Sequence, residues 1–364
     1  MWSRGLRLLS VCFFCAAANM ALTESAPGQQ ASVQSIPLLA PGEGRDVANR
    51  LAAMIEQRYV LPDVGARYAA MLRANAQAGR YDRGNWKDLC DWLTTDLQRV
   101  HADGHLRVNA GPVPNEDQRA IGAGELTPTE AGQWAAPGIG YLRLNRFSGQ
   151  PANVAKIRNF LLGHQSARTL ILDLREHRGG RFEEMDAMLP LLFARRTPLL
   201  DMAMTKHVYE EDGPAITSPA LERIDGPKTL VVRRHYANPD AAHRGLQHAR
   251  IILLTSHRTA SAAEHFALAL KRTRRATLIG ERTAGADHFG GMVAITDHFN
   301  VFLPIGRTYD PATGKDWESV GVEPDIAAGA EDALTIALER SGIPGHRARG
   351  VARRIEAQLS PARD

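Results

Sequence analysis

The sequence predicts an α/β fold that is preceded by a helical region. From residue 138 onward, short apolar runs of strand length alternate with longer amphipathic stretches, a pattern typical of a sheet with crossover helices. Between residues 46 and 109, apolar residues instead recur at helical spacing. At 364 residues, the chain can hold one large or two modest domains with a substantial core.

Residues 1–45 are expected to lie outside this fold. Residues 1–21 carry two arginines and then an apolar run that ends in small residues, which predicts a secretory signal peptide. The run is too short to span a bilayer stably. A lipid anchor at Cys12 is disfavoured because Val11 is bulky where such sites need a small residue. Residues 22–45, rich in Gly, Pro, Gln and Ser, predict a flexible tether. We therefore expect a periplasmic or secreted protein.

The predicted helical subdomain covers residues 46–109. Its first amphipathic helix is stopped by Pro62, and two further helices are expected near 64–78 and 85–101. Cys90 lies at helical spacing with leucines in the last of these helices, which favours a buried thiol over a nucleophile. The other cysteines lie in the predicted signal peptide, so no internal disulfide is expected.

The remaining chain is divided into three predicted parts. Residues 110–137 are rich in turn-forming residues and predict a linker. Residues 138–330 predict the α/β domain, and residues 331–364 predict a carboxy-terminal helix with a basic tail. The elements of the α/β domain are expected in this order: strand 139–145, helix 152–164, strand 169–174, helix 181–194, strand 228–233, strand 250–254, helix 262–272 and strand 276–279.

Charge and residue spacing exclude several classes of partner. The formal net charge is only +4, and the basic runs are short and poor in aromatic residues, which favours solvated surface over nucleic-acid binding. No segment after the predicted signal peptide reaches transmembrane length. His101 and His105 are four residues apart, but no clear third ligand accompanies them. We therefore expect no metal and no cofactor.

Ser261 is the candidate nucleophile. An apolar run over residues 251–254 ends in a short polar turn, and a helical stretch begins at about Ala262. Hydrolases expose a catalytic serine at such a strand-to-helix turn, where the following amides can act as oxyanion donors. The turn reads TASAAE rather than G-x-S-x-G, so the pattern alone leaves the class of hydrolase open.

Longer motifs add a family resemblance. The stretch 253–286, LLTSHRTASAAEHFALALKRTRRATLIGERTAGA, resembles the carboxy-terminal processing (tail-specific) protease family. Four further segments resemble that family in the right order: TDLQRVHADGHLRV (95–108), IGYLRLNRF (139–147), LILDLREHRGG (170–180) and ESVGVEPDI (318–326). The likeness is strongest to the tricorn-like and interphotoreceptor-retinoid-binding-protein-like branch, and the interval 110–137 is too short for the PDZ module of many members.

The resemblance implies a ClpP/crotonase-like catalytic domain and an exported serine peptidase that cleaves peptides or proteins through an acyl-enzyme on Ser261. Most members use a lysine as general base, but Ala286 stands at that register. The tricorn-like branch uses a histidine and a glutamate, and His105 and Glu318 match those positions. The serine that precedes this histidine in tricorn is Gly104 here, so Asp103 could take part of its orienting role.

Two alternatives for the base remain open at this point. His105 could instead be a capping or core histidine at a helix end, and His288 is the rival base. A histidine base predicts activity that rises through a pKa of roughly 6 to 7. Neither Lys271, nearly three helical turns beyond Ser261, nor Lys315, in a turn-like loop, is expected to act.

The oxyanion hole is expected to use backbone amides. Gly179 or Gly180 would supply one donor and Ala262 the other, because glycine turns present their N–H groups without side-chain hindrance. His177 stands where the family usually has asparagine.

Two charged groups near these turns are expected to be structural. Asp173 and Arg175 would form an ion pair beneath the glycine turn. Glu264 would support the first turn of the helix through its dipole rather than accept a proton.

Two other functions fit the same residues. The chain could be a non-catalytic protein of this fold that binds an apolar ligand or a peptide, or it could be a serine esterase that uses Ser261. A reagent that reacts with activated serines would separate the first from an enzyme, and peptide against ester substrates would separate the second.

Overall fold

The computed structural model describes residues 36–113 and 129–359, and the described residues from Pro37 onward belong to one compact unit. The predicted signal peptide (1–21) and the last residues of the predicted basic tail lie outside the described residues. Residues 114–128 also lie outside them, so the expected absence of a PDZ module stays a prediction. Within the described part of the chain, no helix is both long enough and apolar enough to cross a membrane.

Three helices form the helical region, close to their predicted positions. They are α1 (Glu43–Arg58), α2 (Pro62–Gln77) and α3 (Trp86–Val100). Pro62 occupies the first turn of α2, where its missing N–H has no intrahelical partner to lose. Asn85 begins α3 by accepting a hydrogen bond from Asp88 N at 3.0 Å. Cys90 is buried as expected, and burial raises the pKa of its thiol to about 11.

The end of the predicted tether is ordered, contrary to expectation. Leu39 N donates to Gly84 O at 3.1 Å and Trp86 N donates to Pro37 O at 3.0 Å, and α1 already begins at Glu43. Polar composition predicted a flexible segment, but these backbone hydrogen bonds to the start of α3 hold it in place.

The first sheet is mainly parallel and carries the crossover helices that the sequence predicts. Its strands are β2 (Thr129–Ala136), β3 (Ile139–Leu144), β4 (Thr169–Asp173), β8 (Arg250–Thr255), β9 (Ala276–Gly280) and β12 (Ile326–Ala327). Their order in the sheet is β12-β9-β8-β4-β3-β2, and among these strands only β2 runs antiparallel to its neighbour. The helices between them are α4 (Pro151–Gly163), α5 (Glu183–Leu192) and α7 (Ala262–Arg272). Strand β2 corrects the predicted linker, whose last third is an edge strand of this sheet.

The second sheet is antiparallel and was not predicted. Its strands are β1 (Val108–Ala110), β5 (Thr197–Thr205), β6 (Leu221–Ile224), β7 (Leu230–Ala237), β10 (Phe289–Ala294) and β11 (Phe299–Tyr309), with a short helix α6 (Lys206–Asp212) after β5. Their order in the sheet is β1-β11-β5-β7-β6, with β10 also paired to β11. The strand expected at 228–233 overlaps β7 and therefore lies in this sheet rather than in the parallel one.

The carboxy-terminal segment contains two helices, whereas the sequence predicts one helix followed by a basic tail. It contains α8 (Ala330–Arg340) and α9 (Gly345–Leu359), whose apolar residues pack with β3, β4, β8 and β9 in one hydrophobic cluster. Arg175 joins this layer to the first sheet, because its guanidinium hydrogen-bonds Asp173 at 2.6 and 2.9 Å and Glu356 of α9 at 2.5 Å. The predicted Asp173–Arg175 ion pair is present, and the predicted mixed α/β fold with an amino-terminal helical region is confirmed.

Candidate active site

Ser261 lies between β8 and α7 in a strained backbone conformation. Its φ of 57° and ψ of −122° fall in a region that residues other than glycine rarely adopt. Two hydrogen bonds hold this turn: Ser261 N donates to Glu264 Oε2 at 2.8 Å, and Ala260 N donates to His177 O at 3.0 Å. A strained serine at a strand-to-helix turn is the local geometry of a hydrolase nucleophile.

Glu264 joins the nucleophile turn to the loop that follows β9. Besides Ser261 N, its carboxylate accepts hydrogen bonds from the Thr283 hydroxyl at 2.5 Å, from Gly285 N at 2.7 Å and from Ala286 N at 2.8 Å. Burial raises the pKa of Glu264, although these donors oppose the rise. The side chain is fully buried and engaged, which supports the predicted structural role.

The glycine turn after β4 touches the nucleophile turn. A Cβ on Gly179 would lie 2.8 Å from Ser261 Cβ, and one on Gly180 would lie 1.9 Å from Phe147 O. Both glycines also have positive φ, at 95° and 129°. Only glycine allows this approach, so the turn places its backbone directly beside Ser261.

His177 limits which amides can form the oxyanion hole. Gly179 N donates to His177 Nδ1 at 3.0 Å, so this amide already has a partner within the protein. Burial lowers the pKa of His177 to about 3, which keeps the imidazole neutral and Nδ1 able to accept. Within the described residues no hydrogen bond engages the amides of Gly180 or Ala262. Of the three predicted donors, Gly179 is therefore the one that the structure does not favour.

Ser261 opens into a cavity of about 370 Å³. Ala262 and Gly180 line it on the nucleophile side, and both candidate bases, His105 and His288, line it as well. Its apolar wall is formed by Phe182, Met202, Ile216, Phe289, Phe302 and Trp317. The predicted nucleophile, the predicted base and the rival base thus share one cavity.

His105 follows α3, and a hydrogen bond from its own backbone amide holds it in place. Its amide donates to Asp103 Oδ1 at 2.9 Å, and its ring stacks on Phe302 with ring centroids 5.1 Å apart. Burial lowers the pKa of His105 more than the charges of Glu318 and Asp103 raise it. Its Nδ1 is buried and has no hydrogen-bond partner among the described residues. The imidazole is therefore neutral at neutral pH and able to accept a proton.

His288 has a carboxylate partner that His105 lacks. Asp103 Oδ2 accepts hydrogen bonds from His288 Nδ1 at 2.8 Å and from the Tyr59 hydroxyl at 2.7 Å. Burial would lower the pKa of His288, but the hydrogen bond and charge of Asp103 outweigh it and raise the pKa. Because Nδ1 carries the proton that Asp103 accepts, Nε2 is the acceptor in the neutral ring. Nε2 is buried and has no partner among the described residues.

Glu318 holds the backbone beside both histidines. Its Oε1 accepts from Gly104 N at 2.7 Å, and its Oε2 accepts from Asp287 N at 2.7 Å and from His288 N at 3.0 Å. One carboxylate therefore fixes the segments that carry His105 and His288. Its negative charge opposes the lowering of the His105 pKa by burial and contributes to the raised pKa of His288. This double role could not be read from the sequence, since the motif match links Glu318 only to His105.

Neither Lys271 nor Lys315 is among the residues that line the cavity. Lys271 Nζ donates to Glu323 O at 2.5 Å and lies 3.5 Å from Asp325, and Lys315 is exposed in the loop after β11. A Cβ on Gly104 would lie 3.8 Å from Ala286 Cβ. Ala286, at the position of the family lysine, therefore lies close to Gly104, at the position of the serine in the tricorn-like pattern.

Two groups of side chains have spacings that a metal ion could use. Asp103, His105 and Glu318 form one and Asp287, His288 and Glu318 the other, with ligand atoms within 4.8 Å of one another in each group. The carboxylate oxygens of Asp103 and Glu318 already accept hydrogen bonds from backbone and side-chain donors. The expectation of a site without a metal stays a prediction.

Comparison with curated proteins identifies carboxy-terminal processing peptidases as relatives. The chloroplastic C-terminal processing peptidase of Tetradesmus obliquus is 28% identical over 222 residues, which cover 60% of this chain and 40% of the relative. The carboxyl-terminal-processing protease of Synechocystis sp. is 25% identical over 205 residues, which cover 56% and 40%. The chain thus matches about two fifths of the length of these relatives.

Solved structures share the fold at lower sequence identity. A lipoprotein from Streptococcus agalactiae has a TM-score of 0.54 at 16% identity, covering 84% of this chain and 99% of that one. A putative peptidase from Parabacteroides merdae has a TM-score of 0.53 at 18% identity, covering 85% and 96%. These similarities establish the fold alone.

Family comparison agrees with the motifs and with the arrangement around Ser261. Residues 34–131 match the N-terminal domain of peptidase S41 in eukaryotic interphotoreceptor retinoid-binding protein. Residues 138–328, more than half of the chain, match peptidase family S41. This chain is therefore a member of peptidase family S41.

Proposed function

We propose that the protein is a serine peptidase that cleaves peptide bonds through an acyl-enzyme on Ser261. The observation that carries this proposal is the convergence at one cavity of a strained serine, two amides and two histidines. Family membership and the carboxy-terminal processing relatives make peptides or proteins the substrate class. The signal-like residues 1–21 support export of the protein, although they lie outside the described residues.

The chemistry follows from what each group can donate or accept. A histidine takes the Ser261 hydroxyl proton as the oxygen attacks the peptide carbonyl. The amides of Gly180 and Ala262 stabilise the charge that develops on the carbonyl oxygen. The same histidine then gives its proton to the leaving amine, and a water molecule hydrolyses the acyl-enzyme by the reverse sequence.

We propose His105 as that base, with Glu318 as its partner. His105 lines the cavity, its lowered pKa keeps it neutral, and Glu318 fixes the backbone directly before it through Gly104 N. The positive charge that forms on His105 during the reaction would lie close to the Glu318 carboxylate. Backbone support from Glu318 replaces the serine relay of the tricorn-like pattern.

One specific contact favours His288 as a second candidate for the base. Its hydrogen bond to Asp103 is the arrangement that fixes the tautomer of a catalytic histidine, with Nε2 left to accept a proton. In this alternative, Ser261, His288 and Asp103 would act together and Tyr59 would support the carboxylate. The two assignments differ in the pH dependence that they predict.

A fluorophosphonate reagent tests the function directly. We expect it to label the purified protein at Ser261, as located by mass spectrometry of the tryptic peptide, and to abolish turnover of unstructured reporter peptides. Absence of labelling together with tight binding of an apolar ligand would support the non-catalytic alternative. Turnover of small acyl esters without turnover of any peptide would support the esterase.

A further inference from the structure

The glycine turn beside Ser261 is held on both sides of Gly179. Gly179 N donates to His177 Nδ1 at 3.0 Å, and Gly179 O accepts from Phe147 N at 2.9 Å. Arg181 N donates in turn to Phe147 O at 2.8 Å. The two peptide groups that meet at Gly179 are therefore both fixed by hydrogen bonds within the protein.

These hydrogen bonds determine which way the next amide points. A trans peptide is planar and directs its C=O and its N–H to opposite sides. Because Gly179 O faces Phe147 N, the Gly180 N–H of the same peptide points away from Phe147. Gly180 lines the cavity together with Ser261 and Ala262, and its amide donates to no other backbone group of the described residues. The amide that stays available to a ligand is therefore that of Gly180.

The imidazole of His177 can accept the Gly179 hydrogen bond only as a neutral ring. His177 is fully buried, and burial lowers its pKa to about 3, which keeps the ring neutral. Since Nδ1 accepts from Gly179 N, the single ring proton lies on Nε2. Phe147 packs edge-on against this ring with centroids 4.2 Å apart. The residue that holds Gly179 O thus also packs against the ring that holds Gly179 N.

The spacing of donor and acceptor matches an Asx turn. In such a turn, an asparagine or aspartate side chain accepts a hydrogen bond from the backbone N–H two residues later. His177 and Gly179 have this separation, and the Nδ1 acceptor is bonded to Cγ, as is the side-chain oxygen of asparagine. The resembled proteases usually carry asparagine at this position. Histidine therefore keeps the acceptor of the turn although the residue type differs.

We propose that His177 is a positioning residue for the oxyanion hole, because its Nδ1 holds Gly179 N and so leaves Gly180 N to face the cavity. This inference rests on the proposed peptidase function. His177 acts through the glycine turn and touches neither the substrate nor the reacting atoms. Both glycines have positive φ, and glycine has wide conformational freedom, so the turn needs an acceptor that fixes it.

Two variants that differ only in the position of the acceptor test the proposal. His177→Asn places an oxygen where Nδ1 lies, whereas His177→Gln places it near the position of Nε2. We expect His177→Asn to keep kcat on a reporter peptide within about tenfold of the parent value. His177→Gln should lower kcat by roughly 10²-fold or more, the cost of losing one oxyanion donor. KM should change by less than about threefold in both, since the oxyanion forms only after substrate has bound.

A peptide aldehyde provides a readout that a general loss of structure would not give. Ser261 Oγ adds to the aldehyde carbon, the carbonyl electron pair moves to the oxygen, and the hydroxyl proton passes to the base. The matching peptide alcohol occupies the same site but cannot form this bond. The ratio of aldehyde affinity to alcohol affinity should fall by roughly 10²-fold in His177→Gln and by less than about tenfold in His177→Asn. Circular dichroism and the thermal unfolding midpoint control for folding.

The outcomes separate this proposal from the peptidase function. Equal kcat in the parent and in His177→Gln, or equal losses in the two variants, would overturn the role of His177. A parent protein that turns over no peptide would instead contradict the peptidase function.

The tautomer can be measured without any assay of activity. In protein with ¹⁵N-labelled histidine, the His177 resonances, identified by their loss in His177→Asn, should show a bare Nδ1 and a protonated Nε2. A protonated Nδ1 could not accept from Gly179 N and would overturn the inference, even where His177→Gln fails to fold.

Discussion

The two sides of the cavity beside Ser261 are built in different ways. On the nucleophile side, Ser261 and the glycine turn follow two adjacent parallel strands, β8 and β4, and meet where those strands end. On the base side, three separate segments converge: the residues after α3, the residues just before β10 and the loop after β11. One serine occupies the first side, whereas two histidines occupy the second.

The two sides depend on different kinds of contact: the turn at Ser261 is local, whereas the segments that carry the histidines are held by contacts between distant residues. The strain at Ser261 arises within a turn of a few residues, so its conformation depends on one short motif. The base side depends on hydrogen bonds between residues that are 185 positions apart for Asp103 and His288 and 214 apart for Gly104 and Glu318. We expect substitutions to give a single answer on the nucleophile side and to distinguish two candidates on the base side.

The largest effect is expected on the nucleophile side. Ser261→Ala removes the attacking oxygen and should reduce kcat/KM on a reporter peptide by roughly 10⁴-fold or more. The thermal unfolding midpoint should stay close to that of the parent, because Glu264 still accepts the backbone N–H of residue 261. Turnover near the parent rate in the alanine variant would contradict the serine mechanism, whichever histidine acts.

The second prediction compares the two histidines. His105→Ala should reduce kcat/KM by at least ~10²-fold, a typical contribution of a general base. His288→Asn, which keeps a donor for Asp103 but cannot act as a base, should cost less than His105→Ala. The reverse order, with His288→Asn the more damaged enzyme, would transfer the role of base to His288. Circular dichroism of both variants controls for loss of structure.

The pH profile sharpens the same comparison in the unmodified enzyme. The base must be neutral to accept a proton, so activity rises with pH through its pKa in the free enzyme. Burial lowers the pKa of His105, whereas Asp103 raises that of His288 against the effect of burial. The midpoint of the acidic limb of kcat/KM is therefore expected below pH ~6.5. A midpoint clearly above that value would favour His288.

The smallest effects are expected for the lysines. Lys271→Met and Lys315→Met should each leave kcat/KM within about tenfold of the parent value, since a general base contributes more than that. Lys271 is held by Glu323 and Asp325, and Lys315 is exposed. A loss above 10²-fold in either variant, with His105→Ala nearly as active as the parent, would restore a serine–lysine pair.

Much of the first sheet and of the helical region could be predicted from the sequence. Continuous apolar runs such as 251–254 mark buried parallel strands, and apolar residues at helical spacing mark α1 to α3. The second sheet was missed in part because β11 pairs with the distant strands β1 and β5, and because β10 and β1 are short and partly exposed. Its register depends on partners that a local pattern does not contain.

By itself, the sequence determined the fold class, the strand-to-helix turn at Ser261 and the absence of a lysine at residue 286, because each depends on neighbouring residues or on residue identity. Only the tertiary structure decided that Asp103 binds His288, that Glu318 supports both histidine segments and that His177 engages Gly179 N. These contacts depend on the direction of side chains and on the approach of distant segments. A hydrogen bond forms only within a narrow range of distance and angle, and the packing of the whole chain sets that range.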